Sequence, residues 1–405
     1  MKKFNKFLSV AVASAMVMSM AGCGNTDNGS AATGTNAATE SAAADNSAAS
    51  GSVFKIGGIG PTTGGAAVYG LAVQHGAEIA VEEINAAGGI NGYQVEFKFQ
   101  DDEADAEKSV NAYNALKDWG AQIIDGSTTS GACIAVTDKT KEDNMFQITP
   151  SGSAVECVQY DNNFRVCFSN PNQGLASAQY IGENGLAEKI AVIYDSSDVY
   201  SSGIYEKFVK EAENQPFEVV AAEAFTADNK TDFSVQLQKA KDAGADMVFL
   251  PIYYQESALI LTQAAAMGYA PKWFSCDGMD GILGGVDNFD VSLTEGVMLL
   301  TPFAADATDD LTQSFVTKYK EKYGDTPNQF AADSYDAIYV IKAAIEKSGV
   351  TPDMSVSDIC DGMKAAMTEI TVDGLTGNGM TWTADGEANK APKAVVIENG
   401  AYKAM

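Results

Sequence analysis

Histidine occurs once in this 405-residue sequence, at His75, and arginine once, at Arg165. The scarcity of histidine closes most routes to nucleophilic catalysis. A Ser-His-Asp or Cys-His site would have to use His75, whose setting VQHGAEI is mid-helix and carries no supporting motif. We read it as a surface or packing residue, and the chain as no enzyme. The scarcity of arginine removes the planar fork that commonly grips phosphate or carboxylate. Any anion bound here must be held without it. Positive charge is thin altogether, with 26 Lys and Arg against 54 Asp and Glu and a formal charge of −28. That balance disfavours nucleic acid and other polyanions.

Other signatures are missing as well. There is no G-x-x-x-x-G-K-[ST] phosphate loop, and the glycines from Gly58 to Gly65 depart from G-x-G-x-x-G spacing. The acidic runs DDEADAE and ADATDD contain no D-x-D-x-D-G calcium loop and read as solvated turns and helix starts. Beyond Cys23, the cysteines are Cys133, Cys157, Cys167, Cys276 and Cys360, an odd and scattered set without zinc spacing. Cys157 and Cys167 could pair across CVQYDNNFRVC, which spacing alone leaves open. We expect no metal and no cofactor.

What is present begins with MKKFNKFLSVAVASAMVMSMAGCGN. A basic start, an apolar stretch and a small-residue exit make residues 1–22 a secretory signal peptide. Ala21-Gly22-Cys23 resembles the bacterial lipobox, which implies lipidation of Cys23 and a membrane anchor. Residues 23–52 are small, polar and aperiodic, and read as a flexible tether. Loss of Lys2, Lys3 and Lys6 with the signal takes the charge from −28 to about −31. The expected product is extracytoplasmic, lipid-anchored and monomeric.

From Val53 the chain alternates strand and helix patterns. Strands are expected at VFKIGGIG, YQVEFKF, QIID and MFQIT, with helices over about 67–87 and 110–119 and another after Gly131. After SNPNQG the rhythm restarts, with strands KIAVIYD, FEVVAAEAF, DMVFLP and KWFSC and helices over 203–213, 233–243 and 256–267. Two such series predict an α/β protein of two doubly wound parallel-sheet lobes. Ligands in these sheets sit beyond the carboxyl ends of the strands.

One stretch stands out there. GSTTSG, residues 126–131, crowds four hydroxyls between the strand QIID and the following helix. Ser130 could cap that helix, but a cap needs one hydroxyl. The excess points to an anion site of hydroxyls and free N–H groups, helped by the helix dipole. Asp277, just past KWFSC, supplies a carboxylate in the other lobe, so the pair suits a zwitterion.

IGPTTGGAAVYG through QVEFKFQDDEAD resembles the start of the leucine/isoleucine/valine-binding proteins, the type I periplasmic receptors of ATP-driven amino-acid importers. The likeness continues through TSGA, ITPSGSA, AVIYDSSDVYSSG, DFSVQLQKAKDAGADMVFL, SCDGM, NQFAADSYDAIYV and LTGNGMTW. It implies two lobes joined by three crossovers, near 169–174, 300–304 and 375–382. Lobe 1 would then be 53–171 with 302–376, and lobe 2 172–301 with 377–405. The resemblance places the α-carboxylate grip on Ser130, Gly131 and Ser153, and the ammonium site on Asp277 with the Ser151 carbonyl. Tyr69, Thr129, Tyr200, Tyr253 and Phe330 would line the cleft. Implied partners are a small amino acid and the permease and ATPase of an importer. A sensor of the same fold is the alternative. Departures from the pattern, notably Thr128-Thr129 and the short Asp277, bear on the side chain; a leucine-like, branched-chain or aliphatic amino acid is expected, with polar and aromatic ones as alternatives.

Overall fold

Phe54, Ile56 and Ile59 of β1 (Phe54–Gly60) are completely buried, as a central parallel strand covered on both faces requires. The computed structural model describes residues 51–405. The expected signal peptide, Cys23 and the tether as far as residue 50 lie outside the described residues. No described helix is long and apolar enough to cross a membrane.

β1 is followed by α1 (Ala67–Ala86), β2 (Val95–Asp101), α2 (Ala106–Trp119), β3 (Ile123–Gly126), α3 (Ser130–Asp143), β4 (Phe146–Thr149) and β5 (Asn163–Arg165). The five strands form one parallel sheet in the order β2-β1-β3-β4-β5. α1 ends where expected, because Gly88 and Gly89 adopt φ of 104° and 82° and turn the chain out of the helix. α2 starts earlier than periodicity suggested, because Asp105 accepts from the Glu107 and Lys108 amides as its N-cap.

α4 (Asn170–Glu183) then leads into the second lobe: β6 (Lys189–Asp195), α5 (Val199–Ala212), β7 (Glu218–Phe225), α6 (Ser234–Asp242), β8 (Met247–Leu250), α7 (Tyr254–Ala266), β9 (Lys272–Ser275) and β10 (Met298–Thr301). The chain returns through α8 (Asp310–Tyr323), α9 (Gln329–Ser348) and α10 (Val356–Met367), and ends in the hairpin β11 (Lys393–Glu398) and β12 (Ala401–Ala404). The second sheet runs β12-β11-β10-β9-β8-β6-β7. It is parallel from β7 to β10, as expected, with an antiparallel terminal hairpin added across β10-β11-β12.

Return to the second sheet is completed at Lys393, beyond the expected 375–382. Residues up to Lys390 still pack on the first lobe. Arg165 N donates to Gly386 O at 3.0 Å, Trp382 Nε1 to Arg165 O at 2.8 Å, and Lys390 Nζ to Val166 O at 3.1 Å and to the Asp333 carboxylate. The Lys390–Asp333 ion pair is almost fully buried, so it ties the first and last crossovers to α9.

α1 buries Tyr69, Val73, Ala77, Ala80 and Ile84 at helical spacing and packs against α9. At their closest approach a Cβ on Gly76 would lie 2.0 Å from Ala331 O. Gly76→Ala should therefore destabilise the protein by about 1–3 kcal/mol, the usual range for overpacking, rather than gain helix propensity. Thermal unfolding checks this, and a raised midpoint would refute the close packing.

Candidate functional site

The loop between β3 and α3 brings its hydroxyls to the carboxyl edge of the first sheet. Thr129, not Ser130, is the N-cap of α3, and its side chain makes no capping bond. Ser130 is the first helical residue, one earlier than expected. Its Oγ is drawn instead to the next loop, accepting from the Ser153 and Ala154 amides, each at 3.1 Å. Thr128 Oγ1 donates to Ile59 O, and Ser151 Oγ donates to Thr128 O. Thr129 Oγ1 is buried and has no partner among the described residues. A hydroxyl left so costs about 1–3 kcal/mol unless a bound group satisfies it. The first amides of α3 also lack helical acceptors.

The sole arginine backs this loop rather than facing the cleft. Arg165 is completely buried, and its guanidinium donates to Gly152 O at 3.2 Å and Ala154 O at 2.8 Å. It thereby fixes the segment whose amides hold Ser130. The Ser153 side chain lies beside Ser130, with the two Oγ atoms 3.4 Å apart. The Ser153 carbonyl accepts from Asn170 N at 2.7 Å.

Across the cleft, Asp277 follows β9. Its carboxylate accepts from Tyr200 OH at 2.6 Å and Gln173 Nε2 at 2.9 Å, with no cation beside it. Burial pushes its carboxyl up to about 7, against the lowering effect of those two donors. Gln173 also accepts from Asp277 N. α4 thus touches both halves, through Asn170 to Ser153 and through Gln173 to Asp277. The lobes meet directly where Tyr69 OH donates to Gly278 O and Gln329 Nε2 donates to Asp277 O.

Between these halves lies a small cavity of about 20 Å³, lined by Tyr69, Thr128, Thr129, Ser130, Ser151, Tyr200, Tyr253, Asp277, Gly278 and Phe330. Eight of the expected residues therefore converge on it. Gly131 instead lines an adjoining cavity of about 420 Å³ at the cleft mouth, which shares Thr129, Tyr200 and Tyr253. Phe330 packs on Tyr69 with ring centroids 4.6 Å apart, and Tyr253 stacks on Tyr200 at 5.0 Å. Tyr254 faces the core, edge-on to Tyr69. The mouth is acidic, with Glu103, Asp195, Asp198 and Glu256, of which Glu256 is bridged by Lys230 at 3.0 Å.

Gln173, Thr128 and Gly278 were not among the expected site residues. Thr128 belonged to the hydroxyl run and could have been included, whereas Gln173 reaches Asp277 only through tertiary structure. His75 stacks on Tyr323 at 3.6 Å, away from the cleft, as a packing residue. All five described cysteines are free thiols, and Cys157 donates to Ser130 O rather than pairing with Cys167. The described residues contain no cluster suited to a metal.

The family profile described as Periplasmic binding protein matches residues 53–401. A Leu/Ile/Val-binding protein homolog of Brucella melitensis is 30% identical over 300 residues, covering 74% of this chain and 80% of its own. The leucine-, isoleucine-, valine-, threonine- and alanine-binding protein of Pseudomonas aeruginosa is 30% identical, covering 73% of this chain and 79% of its own. Among solved structures, the branched-chain amino acid transporter substrate-binding protein LivJ of Streptococcus pneumoniae, bound to isoleucine, superimposes with a TM-score of 0.78 at 28% identity, covering 87% of this chain and 98% of that one. A solute-binding protein of R. palustris in complex with benzoate aligns with a TM-score of 0.76 at 20% identity, covering 87% and 95%, and speaks for the fold alone.

Proposed function

This chain belongs to the periplasmic binding protein family, among the leucine/isoleucine/valine-binding proteins, and we propose that it captures a zwitterionic, aliphatic amino acid between its lobes and delivers it to a membrane importer. One observation carries the choice of ligand class. A buried carboxylate, Asp277, with no cation beside it among the described residues, faces a loop of hydroxyls and free amides across the cleft. An α-amino acid satisfies both ends, and each end would otherwise leave a desolvated group unpaired.

Ser130, Gly131 and the unpartnered Thr129 hydroxyl take the carboxylate, with Ser153 holding Ser130 in place. Asp277 takes the ammonium, with Ser151 beside it. Because the two charged ends engage different lobes, the ligand stabilises the closed arrangement over any open one. An aromatic carboxylic acid fits less well, since it would leave Asp277 unpaired and approach through an acidic mouth. We further propose that the protein acts as a monomer outside the cytoplasm, tethered through lipidated Cys23.

Thermal unfolding of the purified protein against amino acids, sugars and benzoate tests the reading. A ligand bound only by the native state adds about 2.7 kcal/mol at a hundredfold excess over its dissociation constant. Stabilisation by amino acids and not by their deaminated acids is expected. Stabilisation by benzoate or a sugar alone would overturn the ligand class while leaving the fold intact.

A further inference from the structure

We infer that Asp280 is a positioning residue for ligand capture. From the second lobe it caps α9 of the first, and this clasp, which touches no ligand, sets how readily the cleft closes. The inference rests on the reading above only in that capture and closure are one event.

α9 packs on α1 and α10 in the first lobe. Its first four amides have no acceptor within the helix. Its N-cap, Asn328, satisfies one of them, accepting from Ala331 N at 3.2 Å. The amide of Gln329, at the first helical position, donates instead to the Asp280 carboxylate at 3.0 Å. Asp280 belongs to the other lobe. It ends the short turn 277–279 that follows β9, and its own amide donates to Asp277 O at 2.8 Å. The carboxylate is buried, and Tyr402 of β12 stands beside it, with its hydroxyl accepting from Gly281 N at 3.4 Å. The helix dipole favours a carboxylate at this end. A helix of the first lobe thus takes part of its N-terminal cap from the second.

The surfaces around the bond fit closely. Val68 of α1 seats between Gly281 and Gly285, where a Cβ on either glycine would lie 2.6 Å from a Val68 methyl. Asp280 itself lines neither the cavity between the charged halves nor the one at the mouth. Its bond to Gln329 N therefore acts on affinity through the lobes. Parting them strips α9 of this acceptor, so the clasp weights the closed arrangement. Affinity scales with the fraction of protein in the binding-competent state, and by the same factor for every amino acid.

Two substitutions at one position isolate the bond. Gln329→Pro removes the amide hydrogen and suits the first turn of a helix. Asn328, at φ −95° and ψ −178°, already has the extended backbone that a following proline needs. Gln329→Ala keeps the amide and removes only the side chain. Calorimetric titration of both variants with alanine, valine and leucine, and X-ray scattering without ligand, test the clasp. Gln329→Pro should bind roughly 10- to 100-fold more weakly than Gln329→Ala, the effect of one hydrogen bond to a charged group, with the order of preference among ligands unchanged. Its ligand-free form should have the larger radius of gyration. Asp280→Ala should weaken binding similarly and add little when combined with Gln329→Pro. Asp280→Asn, which keeps an acceptor, should recover part of the loss. Equal affinities in Gln329→Pro and Gln329→Ala, even with a lower unfolding midpoint in the former, would make the bond a helix cap only and overturn the proposal. If no amino acid binds, the ligand reading fails by itself and scattering decides the clasp. Equal radii in the two variants then overturn it, and a larger radius in Gln329→Pro supports it. Should Gln329→Pro fail to fold, Asp280→Ala against Asp280→Asn decides by the same readings.

Discussion

Asp277→Ala should weaken amino-acid binding by roughly 30- to 4000-fold, the equivalent of about 2–5 kcal/mol for truncating one partner of a buried, hydrogen-bonded charge pair. The loss comes mainly from leaving the ligand's ammonium desolvated without a counter-charge. Asp277→Asn separates this from any effect on the fold. It keeps the volume and can still accept at its one amide oxygen from Tyr200, with the amide nitrogen turned to Gln173, yet it offers no charge. Binding should be lost equally while the folded structure persists.

The same carboxylate sets a pH dependence. In the ligand-free protein burial holds the Asp277 carboxyl at about 7. The ligand's ammonium selects the ionised form, so binding below that pH must first displace a proton. Affinity should be flat above about 7 and fall roughly tenfold per unit below it. Asp277→Asn should show no such slope. Titration calorimetry at pH 5, 6 and 8 reads both. Wild-type affinity unchanged between pH 5 and 8, or tight binding by Asp277→Asn, would remove Asp277 from the ligand site.

Where the sequence carried the information locally, reading it succeeded. β1, β3, β4 and β8 are short, buried segments rich in Ile, Phe, Val and Leu, as strands covered on both faces must be. The Gly88-Gly89 helix stop is equally local. α5 starts at Val199 rather than the expected 203, because Asp198, its cap, sits in a run of other capping residues, Ser196, Ser197, Ser201 and Ser202. The terminal hairpin and its antiparallel pairing were not anticipated, since register with β10 is a tertiary fact.

The site divides along the same line. The hydroxyl loop stands out in the sequence because it holds more hydroxyls than a cap needs, whereas Asp277 is singled out only through the family resemblance; the structure places both on one cavity. The bond from the Ser153 amide to Ser130 has no sequence signal, nor has Gln173, which is 104 residues from the carboxylate it holds. Arg165 could be excluded from a surface role only by its burial. Its contribution, bracing the 152–154 carbonyls, belongs to the folded loop and has no sequence signature.

The ligand-free protein should be more stable at pH 5.5 than at pH 8, against the usual trend for proteins stabilised by paired carboxylates. Burial raises Asp102 and Asp277 to about 7, Asp125 to about 8, and Asp198 and Asp336 to about 6, all from 3.8. A group whose folded value exceeds its unfolded one binds its proton more tightly in the native state. Its stabilising contribution is complete below about 4 and disappears as pH rises through 6 to 8. Asp101, Asp143, Asp161 and Glu83 are shifted the other way by their hydrogen bonds and lysines, and they withdraw stability only as pH falls below the ordinary carboxylate range. Maximum stability should therefore lie near pH 4–6, with a loss of several kcal/mol, roughly 5–10 °C in the midpoint, by pH 8. Thermal unfolding across pH 4–8 checks this, and a midpoint that climbs from pH 5.5 to 8 would contradict it. Asp277→Asn should raise the midpoint at pH 8 and leave it nearly unchanged at pH 4, and saturating ligand should flatten the same part of the curve. These two effects share one cause. The cleft holds a carboxylate that burial disfavours, and closing it around an ammonium removes that penalty, so ligand capture and lobe closure stabilise one another.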